Sequence, residues 1–298
     1  MEGGGDKNDP NNYRPISILP TISKIFERYI SNQLQKYFNK YDVIHSKQSG
    51  FRQNHSCYTA LTRLIDSWLK DVDSGKYVGT VYLDLKKAFD LVDHKILLLK
   101  LKLYHFTDKS IKFFESYLSN RKQKIKYKNL QSESRNIQSG VPQGSILGPL
   151  LFLIYINDIA FLQNNNSTDL FADDTTLSES SSNIAEIQHN LQNRLNLIQK
   201  WCDINNMAIH PDKRKCMLIA TKQKINRGST LLLNIGNTQM SVTPPPFGTQ
   251  YSGFFLDGTQ YAKGWYAVRR NSVILYADIN FYFKKVQFSS RNTSHVTN

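Results

Sequence analysis

Two adjacent aspartates, Asp173 and Asp174, lie between two short segments of β-favouring residues. These segments, 168–171 and 175–177, predict a hairpin with the aspartates at its tip. Two carboxylates this close resist joint ionisation unless a cation neutralises them, and carboxylate oxygens are the ligands that Mg²⁺ prefers. A solvated turn is the alternative interpretation, because aspartate is also a common turn residue.

A second acidic segment precedes this pair. Residues 77–85 predict a strand, in which Asp84 shares one face with Thr80 and Tyr82 because side chains alternate along a strand. If this strand lies beside the hairpin, three carboxylates converge, and two bound metal ions would stabilise the attacking and leaving oxygens of a phosphoryl transfer. The residues alone fit a nuclease and a polymerase equally.

The composition restricts the class of protein. The chain has 298 residues, a net charge of +14 and 40% hydrophobic residues, which indicates a folded protein with a polyanionic partner. Its three cysteines, Cys57, Cys202 and Cys216, lack metal-ligand spacing and favour a reducing compartment. The N-terminus has no apolar signal region, and the longest apolar run, 146–156, is short for a membrane span. We therefore expect a soluble protein without a membrane partner.

Helices and strands are mixed without strict βαβ alternation, which favours an α+β architecture. Apolar residues at three- and four-residue steps predict helices, with Asp93 as the N-cap of one of them. The predicted helices cover 25–34, 56–69, 94–104, 111–118, 150–159 and 184–201, and the further strands cover 207–209 and 216–221. After 221 the composition changes, and 273–283 is the only strong strand candidate there.

Four lysines, Lys122, Lys124, Lys126 and Lys128, alternate with other residues. On one continuous strand they would all line one face. That face fits a nucleic-acid-binding surface, and it equally fits a solvated edge strand on which lysine blocks further pairing. Both interpretations stay open.

A loop rich in glycine and proline, SGVPQGSILGP at 139–149, precedes the apolar helix at 150–159. Glycine permits close approach of a backbone to a ligand, and we expect the helix start to offer free N–H groups.

Five segments of the chain match one known family in order. They are YRPISILP (13–20), QSGFR (48–52), YLDLKKAFD (82–90), the loop at 139–149 and FADD (171–174). Over about 8–222 the chain resembles the reverse transcriptase domain of non-LTR (LINE-type) retrotransposons of the jockey or chicken-repeat group. Group II intron reverse transcriptases share the pattern more loosely.

The resemblance implies an α+β right-hand polymerase with an antiparallel palm sheet. Fingers would cover about 8–76 and 105–138, and the palm about 77–104 and 139–222. The remaining residues, 223–298, would be a divergent tail, either a thumb remnant or unrelated sequence, so that the thumb is missing or degenerate. We therefore expect a domain truncated at both ends.

The resemblance assigns Asp84, Asp173 and Asp174 as the metal-binding acids. The backbone carbonyl of Leu85 would add a ligand oxygen. Lys213 matches a recurrent lysine that would protonate or neutralise the leaving pyrophosphate. Two Mg²⁺ ions are implied, with Mn²⁺ as an alternative.

Nucleotide contacts are assigned in the same way. Phe89 matches the aromatic residue under the sugar, where a bulky ring leaves no room for a 2′-hydroxyl. Packing in the core is the alternative for Phe89. Gln143 and Gly144 would support the templating base and the incoming nucleotide, and Arg14 and Lys24 would neutralise the triphosphate.

Four further residues qualify the resemblance. Arg52 lies in the matching Gly-Phe-Arg segment, where an ion-paired structural arginine is the alternative, and we expect Asp90 in a turn or helix start. His210 and Arg214 differ from the asparagine and threonine usual in the family, which bears on where Lys213 lies.

The implied function is RNA-directed DNA polymerase, with an RNA template, a DNA primer and deoxynucleoside triphosphates as partners. Its expected location is intracellular, in nucleus and cytoplasm, and the oligomeric state is left open. One alternative is a decayed retrotransposon fragment that binds nucleic acid without turnover. Another is a metal-dependent nuclease, in which Phe89 and the loop at 139–149 would have no obvious use.

Overall fold

The structure, a computed structural model, describes residues 16–127, 129–162, 168–221, 224, 229–236, 238–242 and 274–276. Backbone contacts divide the chain into two compact units. The first unit comprises Met1–Ser46, Lys86–Asp158 and Asp203–Ala208. The second comprises Lys47–Leu85, Ile159–Cys202 and Ile209–Asn298.

Helices and strands are numbered in chain order. In the described residues the α-helices are α1 (Thr21–Lys40), α2 (Cys57–Asp73), α3 (His94–Leu103), α4 (Asp108–Leu118), α5 (Leu147–Ile156) and α6 (Ile184–Ile204). The strands are β1 (Tyr77–Asp84), β2 (Lys122–Gln123), β3 (Lys126–Tyr127), β4 (Leu130–Gln131), β5 (Arg135–Asn136), β6 (Thr168–Phe171), β7 (Asp174–Ser181), β8 (Lys215–Ala220), β9 (Leu231–Ile235), β10 (Thr238–Val242) and β11 (Ile274–Tyr276). Short 3₁₀ helices cover Asn157–Phe161 and Pro211–Lys213.

The first unit is built around α5. This helix is apolar on all sides and nearly every residue in it is buried, as expected for a helix enclosed by other elements. Helices α1 and α3 pack against it, and α4 packs against α3. Asp93 caps α3 as predicted, since its carboxylate accepts from the backbone N–H groups of Lys95 and Ile96 at 2.8 and 3.1 Å.

Residues 122–127 do not form the single continuous strand on which all the lysines would share a face. The segment forms two short strands with different partners: β2 pairs with β5, and β3 pairs with β4. Lys124 lies between them, and Lys128 lies outside the described residues. The reason is that a two-residue sheet period holds only along one unbroken strand, and this segment changes partner. We call residues 121–137 the basic ribbon.

The second unit contains an antiparallel sheet in the order β11-β8-β1-β7-β6. The expected α+β class with an antiparallel sheet is therefore confirmed. Helix α2 packs on this sheet through a buried apolar cluster. The members of the cluster are Leu64, Trp68, Val72, Val78, Met217 and Ile219.

Residues after 221 contain more strand than the sequence predicted. A hairpin of β9 and β10 precedes 273–283, the only segment after 221 that was predicted to be a strand. Its alternating burial, with Leu231, Leu233 and Ile235 inside, is a two-residue pattern that the surrounding polar residues obscured. Of the candidate at 273–283, β11 covers Ile274–Tyr276, and 273 and 277–283 lie outside the described residues.

A strand predicted at 207–209 is reduced to one isolated bridge between Leu85 and Ile209. None of the helices in the described part of the chain combines the length and the apolar character that crossing a membrane requires.

Candidate active site

Strand pairing brings the three predicted acids together. Strands β6 and β7 are joined by a turn at Ala172 and Asp173, and β7 pairs with β1 so that Asp174 lies opposite Asp84. One carboxylate oxygen from each of Asp84, Asp173 and Asp174 lies within 4.8 Å of the others. Asp173 lies in the turn, as both interpretations expect, but Asp173 and Asp174 are half-buried and clustered with Asp84, not fully solvated.

The cluster combines burial with like charge. Asp84 is 4% exposed, while Asp173 and Asp174 are half-buried. Buried carboxylates close together are costly unless positive charge compensates them. The Nζ atom of Lys213 lies 3.0 Å from Oδ2 of Asp84 and supplies part of that charge. Hard oxygen ligands at this spacing fit a divalent cation such as Mg²⁺.

The segment before Lys213 runs beside the end of β1. The backbone N–H of His210 donates to the carbonyl of Asp84 at 2.7 Å, and Pro211–Lys213 turns as a 3₁₀ helix. Because the His210 contact is made by the backbone, it does not depend on the side chain that differs from the family. Arg214 donates to the carbonyl of Pro211 at 2.9 Å and closes the same turn. Neither departure keeps Lys213 from Asp84.

Leu85 continues β1 beyond Asp84. Its bridge to Ile209 is flanked by the bond from His210 to Asp84, so Leu85 occupies a non-hydrogen-bonded position of that bridge. This directs the Leu85 carbonyl away from Ile209, toward the edge of β1 that pairs with β7. Its role as a metal ligand stays a prediction.

Gln143 and Gly144 lie in the first unit. The side-chain amide of Gln143 donates to Oδ1 of Asp90 at 2.9 Å. The backbone carbonyl of Gln143 accepts from the backbone N–H of Ser17 at 2.7 Å. Gly144 is exposed with φ +109°, and a Cβ there would lie 2.9 Å from the Ser17 carbonyl oxygen. Glycine is therefore required by both backbone conformation and space. Asp90 lies in a turn, as predicted.

The expectation of free N–H groups at the start of α5 is wrong for two of them. Glu27, 3% exposed on α1, accepts from the backbone N–H of Ile146 at 2.7 Å, and Ser145 Oγ accepts from that of Gly148 at 2.8 Å. Glu27 also accepts from the hydroxyl of Tyr117 at 2.9 Å, and burial raises the pKa of Tyr117. The chain thus caps α5 with its own buried carboxylate.

Phe89 has a half-buried ring that stacks on Phe152 with centroids 4.5 Å apart. Its carbonyl accepts from the backbone N–H of Val141 at 2.9 Å, which ties it to the loop at 139–149. This packing is compatible with both a sugar-facing ring and a core ring, so the assignment stays a prediction.

The sequence profile of the family described as reverse transcriptase (RNA-dependent DNA polymerase) matches residues 6–256. This chain belongs to the reverse transcriptase family. The match includes every segment that carried the resemblance, together with the β9–β10 hairpin.

Similar proteins come from Drosophila melanogaster. A probable RNA-directed DNA polymerase from transposon BS is 33% identical over 70% of this chain and 24% of its own length. The corresponding protein from transposon X-element is 31% identical over 74% of this chain and 25% of its own length. The RNA-directed DNA polymerase from mobile element jockey is 31% identical over 70% of this chain. The prediction of a jockey-like non-LTR reverse transcriptase is confirmed, and the chain spans about a quarter of the length of these relatives.

A solved telomerase structure from Candida tropicalis, in complex with a fragment of telomeric RNA, aligns with 66% of this chain and 34% of that chain. The alignment has 15% sequence identity and a TM-score of 0.48.

The structure tests neither of the two predicted contacts of the reverse transcriptase with triphosphate. Lys24 is exposed near the start of α1. Arg14 lies outside the described residues. Both roles stay predictions.

Sequence reasoning missed residues that support the reverse transcriptase hairpin. The QSGFR segment pointed to Arg52, whose guanidinium donates to the carbonyl of Gln48 at 3.2 Å. The side chain that contacts the hairpin is that of Gln48, which accepts from the backbone N–H of Ala172 at 2.9 Å. The available signal was a glutamine two residues before a glycine within a recognised segment, but it does not indicate the distant partner.

Proposed function

We propose that this chain carries out RNA-directed DNA synthesis, adding deoxynucleotides to the 3′ end of a primer. The observation that carries the proposal is the convergence of Asp84, Asp173 and Asp174 within 4.8 Å in a chain of the reverse transcriptase family. Phosphoryl transfer is chemistry in which positioning and charge neutralisation provide most of the catalysis.

We propose Mg²⁺ as the metal, two ions per site, with Mn²⁺ as a substitute. Asp84, Asp173 and Asp174 would hold them, and the Leu85 carbonyl would add an oxygen. When bound, the ions neutralise phosphate charge and stabilise the attacking and leaving oxygens. The spacing and all-oxygen chemistry of the three carboxylates support this assignment.

The chain's own residues would supply the remaining functions. In the reaction the primer 3′-hydroxyl gives up its proton to solvent and its oxygen attacks the α-phosphorus. The new oxygen–phosphorus bond forms as the bond to pyrophosphate breaks. Lys213, 3.0 Å from Asp84, would neutralise or protonate the departing pyrophosphate. Arg14 and Lys24 would neutralise the triphosphate on entry.

Selection of the nucleotide would depend on other residues. Phe89 would exclude a ribose 2′-hydroxyl by the bulk of its ring. Gln143, fixed by Asp90 and Ser17, and Gly144 would support the templating base and the incoming nucleotide.

The proposed partners are an RNA template, a DNA primer and deoxynucleoside triphosphates. The net charge of +14 supports a polyanionic partner, because lysine and arginine gain affinity by displacing counterions from phosphates. We propose that the protein acts inside the cell, in nucleus and cytoplasm. We also propose that the fingers cover about 8–76 and 105–138 and that the palm covers about 77–104 and 139–222.

Primer extension on poly(rA)/oligo(dT) with Mg²⁺ tests the proposal. We expect extension by the unchanged chain and by Asp66→Ala, whose carboxylate is exposed on α2, and loss of extension in Asp173→Ala. Extension that survives Asp173→Ala would contradict the metal assignment. Salt-sensitive RNA binding without incorporation would favour the non-catalytic alternative, and cleavage without added nucleotides would favour a nuclease.

A further inference from the structure

The turn that carries Asp173 has an unusual backbone conformation. Ala172, between β6 and Asp173, has φ +54°. Residues with a Cβ rarely occupy this left-handed region, and they stay there only where their surroundings hold them. The direction of the Asp173 carboxylate depends on this one residue, because Asp173 follows it directly in the turn, whereas Asp174 is placed by its pairing with Asp84.

One buried side chain contacts both backbone polar groups of Ala172. Gln48 is 1% exposed, and its Oε1 accepts from the N–H of Ala172 at 2.9 Å and from that of Gly50 at 2.7 Å. Its Nε2 donates to the carbonyl of Ala172 at 3.4 Å. A glutamine amide offers two acceptor sites on its oxygen, and both are used here on backbone N–H groups.

The segment that bears Gln48 is fitted closely to the hairpin. A Cβ at Gly50 would lie 2.2 Å from the Ala172 nitrogen, so only glycine permits this approach. The backbone N–H of Ser49 donates to the Leu170 carbonyl at 2.9 Å, and that of Leu170 donates to the Lys47 carbonyl at 3.1 Å.

Arg63 on α2 joins the residue before Gln48 to β6. Arg63 contacts Oδ1 of Asp169 at 2.6 Å through Nη2, which also donates to the Lys47 carbonyl at 3.3 Å. Gln48 is therefore held at a defined position relative to β6.

We propose that Gln48 is a positioning residue of the metal site. By bonding both backbone groups of Ala172 it holds the left-handed conformation that turns Asp173 toward Asp84 and Asp174. The inference rests on the proposed metal site and assigns no contact between Gln48 and substrate or metal. Residues that orient metal ligands typically contribute about 10- to 100-fold to metal affinity.

Mn²⁺ binding, followed by the loss of the free-ion EPR signal, tests this role without DNA synthesis. Gln48→Met keeps the shape of the side chain but removes its acceptor, and we expect Mn²⁺ affinity to fall about 10- to 100-fold. Adding Ala172→Gly to Gln48→Met should recover part of the loss, because glycine adopts a positive φ without steric cost.

A stability control separates this role from general weakening of the fold. Ile219→Val lies in the buried cluster between α2 and the sheet and should lower stability without changing Mn²⁺ affinity. Wild-type affinity in Gln48→Met, or a loss in Gln48→Met that Ala172→Gly does not reduce, would overturn the role of Gln48 and leave the metal site standing. Absence of Asp173-dependent Mn²⁺ binding in the unchanged chain would instead contradict the metal site and the role of Gln48 together.

Discussion

At the residue scale, backbone pairing determines which carboxylates meet. Asp84 and Asp174 are opposite partners in the β1–β7 ladder, so their side chains leave the sheet side by side. A register shift of one residue would turn Asp84 to the other face. The register, rather than the number of acids in the chain, therefore creates the site.

Phe89 provides a test of nucleotide selection. We expect Phe89→Ala to lower the preference for dTTP over UTP on poly(rA)/oligo(dT) by about 10-fold or more, because removal of the ring opens space for the 2′-hydroxyl. The measurement is kcat/KM for each nucleotide, and Phe89→Tyr, which keeps the ring, is the matched control. An unchanged preference in Phe89→Ala would show that the ring only packs on Phe152.

The sequence pointed to the three acids that the structure brings together, because a carboxylate carries its own chemistry. The roles of these acids and of the glycine-rich loop stay predictions. Gln48 and Glu27 were not identified from the sequence, because each acts on a backbone group more than a hundred residues away, Ala172 and Ile146 respectively. Local spacing carries no information on such contacts.

At the element scale, helix α6 contacts both strands of the β6–β7 hairpin through Arg194. Arg194, 3% exposed, contacts Oε1 of Glu179 at 2.6 Å, the Ser178 carbonyl at 3.0 Å and Oγ1 of Thr168. Burial lowers the pKa of this guanidinium, and Glu179 acts in the opposite direction. The arginine thus joins both strands of the hairpin to one helix.

We expect Arg194→Met to lower the free energy of unfolding by about 3–5 kcal/mol, because it breaks the buried ion pair between Arg194 and Glu179. Urea unfolding followed by circular dichroism measures the change. Adding Glu179→Gln should restore part of the loss. A loss in the single variant of only about 0.5 kcal/mol, typical of surface substitutions, would contradict a structural role for the pair.

The basic ribbon allows the two interpretations of its lysines to be separated. Lys122, Lys124 and Lys126 are exposed, as are the matched control residues Lys95, Lys102 and Lys109 on α3 and α4. If the ribbon contacts phosphates, changing its three lysines to glutamine should reduce the slope of log K against log salt for single-stranded RNA by about 2. The control triple variant should keep the slope.

Filter binding across a range of salt concentrations provides that measurement. Equal slopes for the two triple variants would favour the interpretation in which lysine only keeps a solvated edge from pairing. A nucleic-acid-binding face built on one continuous strand is excluded by the structure, since the lysines do not share one strand.

The spacing of apolar residues predicted individual helices and strands better than it predicted which strands pair. The apolar steps of α6 and the strand β1 were found from the sequence, because each buries one continuous face. The order of strands in the sheet was not derivable from that pattern, and the antiparallel arrangement was expected only from family resemblance. The β9–β10 hairpin was missed because its alternation covers only a few residues in a polar segment.

At the scale of the whole molecule, the chain belongs to the reverse transcriptase family and spans about a quarter of the length of its curated relatives. Its net charge of +14 is the property that acts over the longest distance, since it attracts any polyanion before specific contacts form. The acidic cluster is a local exception within this basic chain. Asp84 on β1 and the two aspartates of the β6–β7 hairpin form a cluster that could hold a metal ion.

Whether Asp84, Asp173 and Asp174 hold a divalent cation is tested most directly by iron-directed cleavage. Fe²⁺ in place of Mg²⁺, with ascorbate and peroxide, generates radicals that cut the backbone next to the bound ion, and mass spectrometry locates the cuts. We predict cuts near 84–85 and 172–174 that excess Mg²⁺ suppresses, that Asp66→Ala retains and that Asp173→Ala loses. Cuts confined to other parts of the chain, or the same pattern in Asp173→Ala, would contradict the metal site.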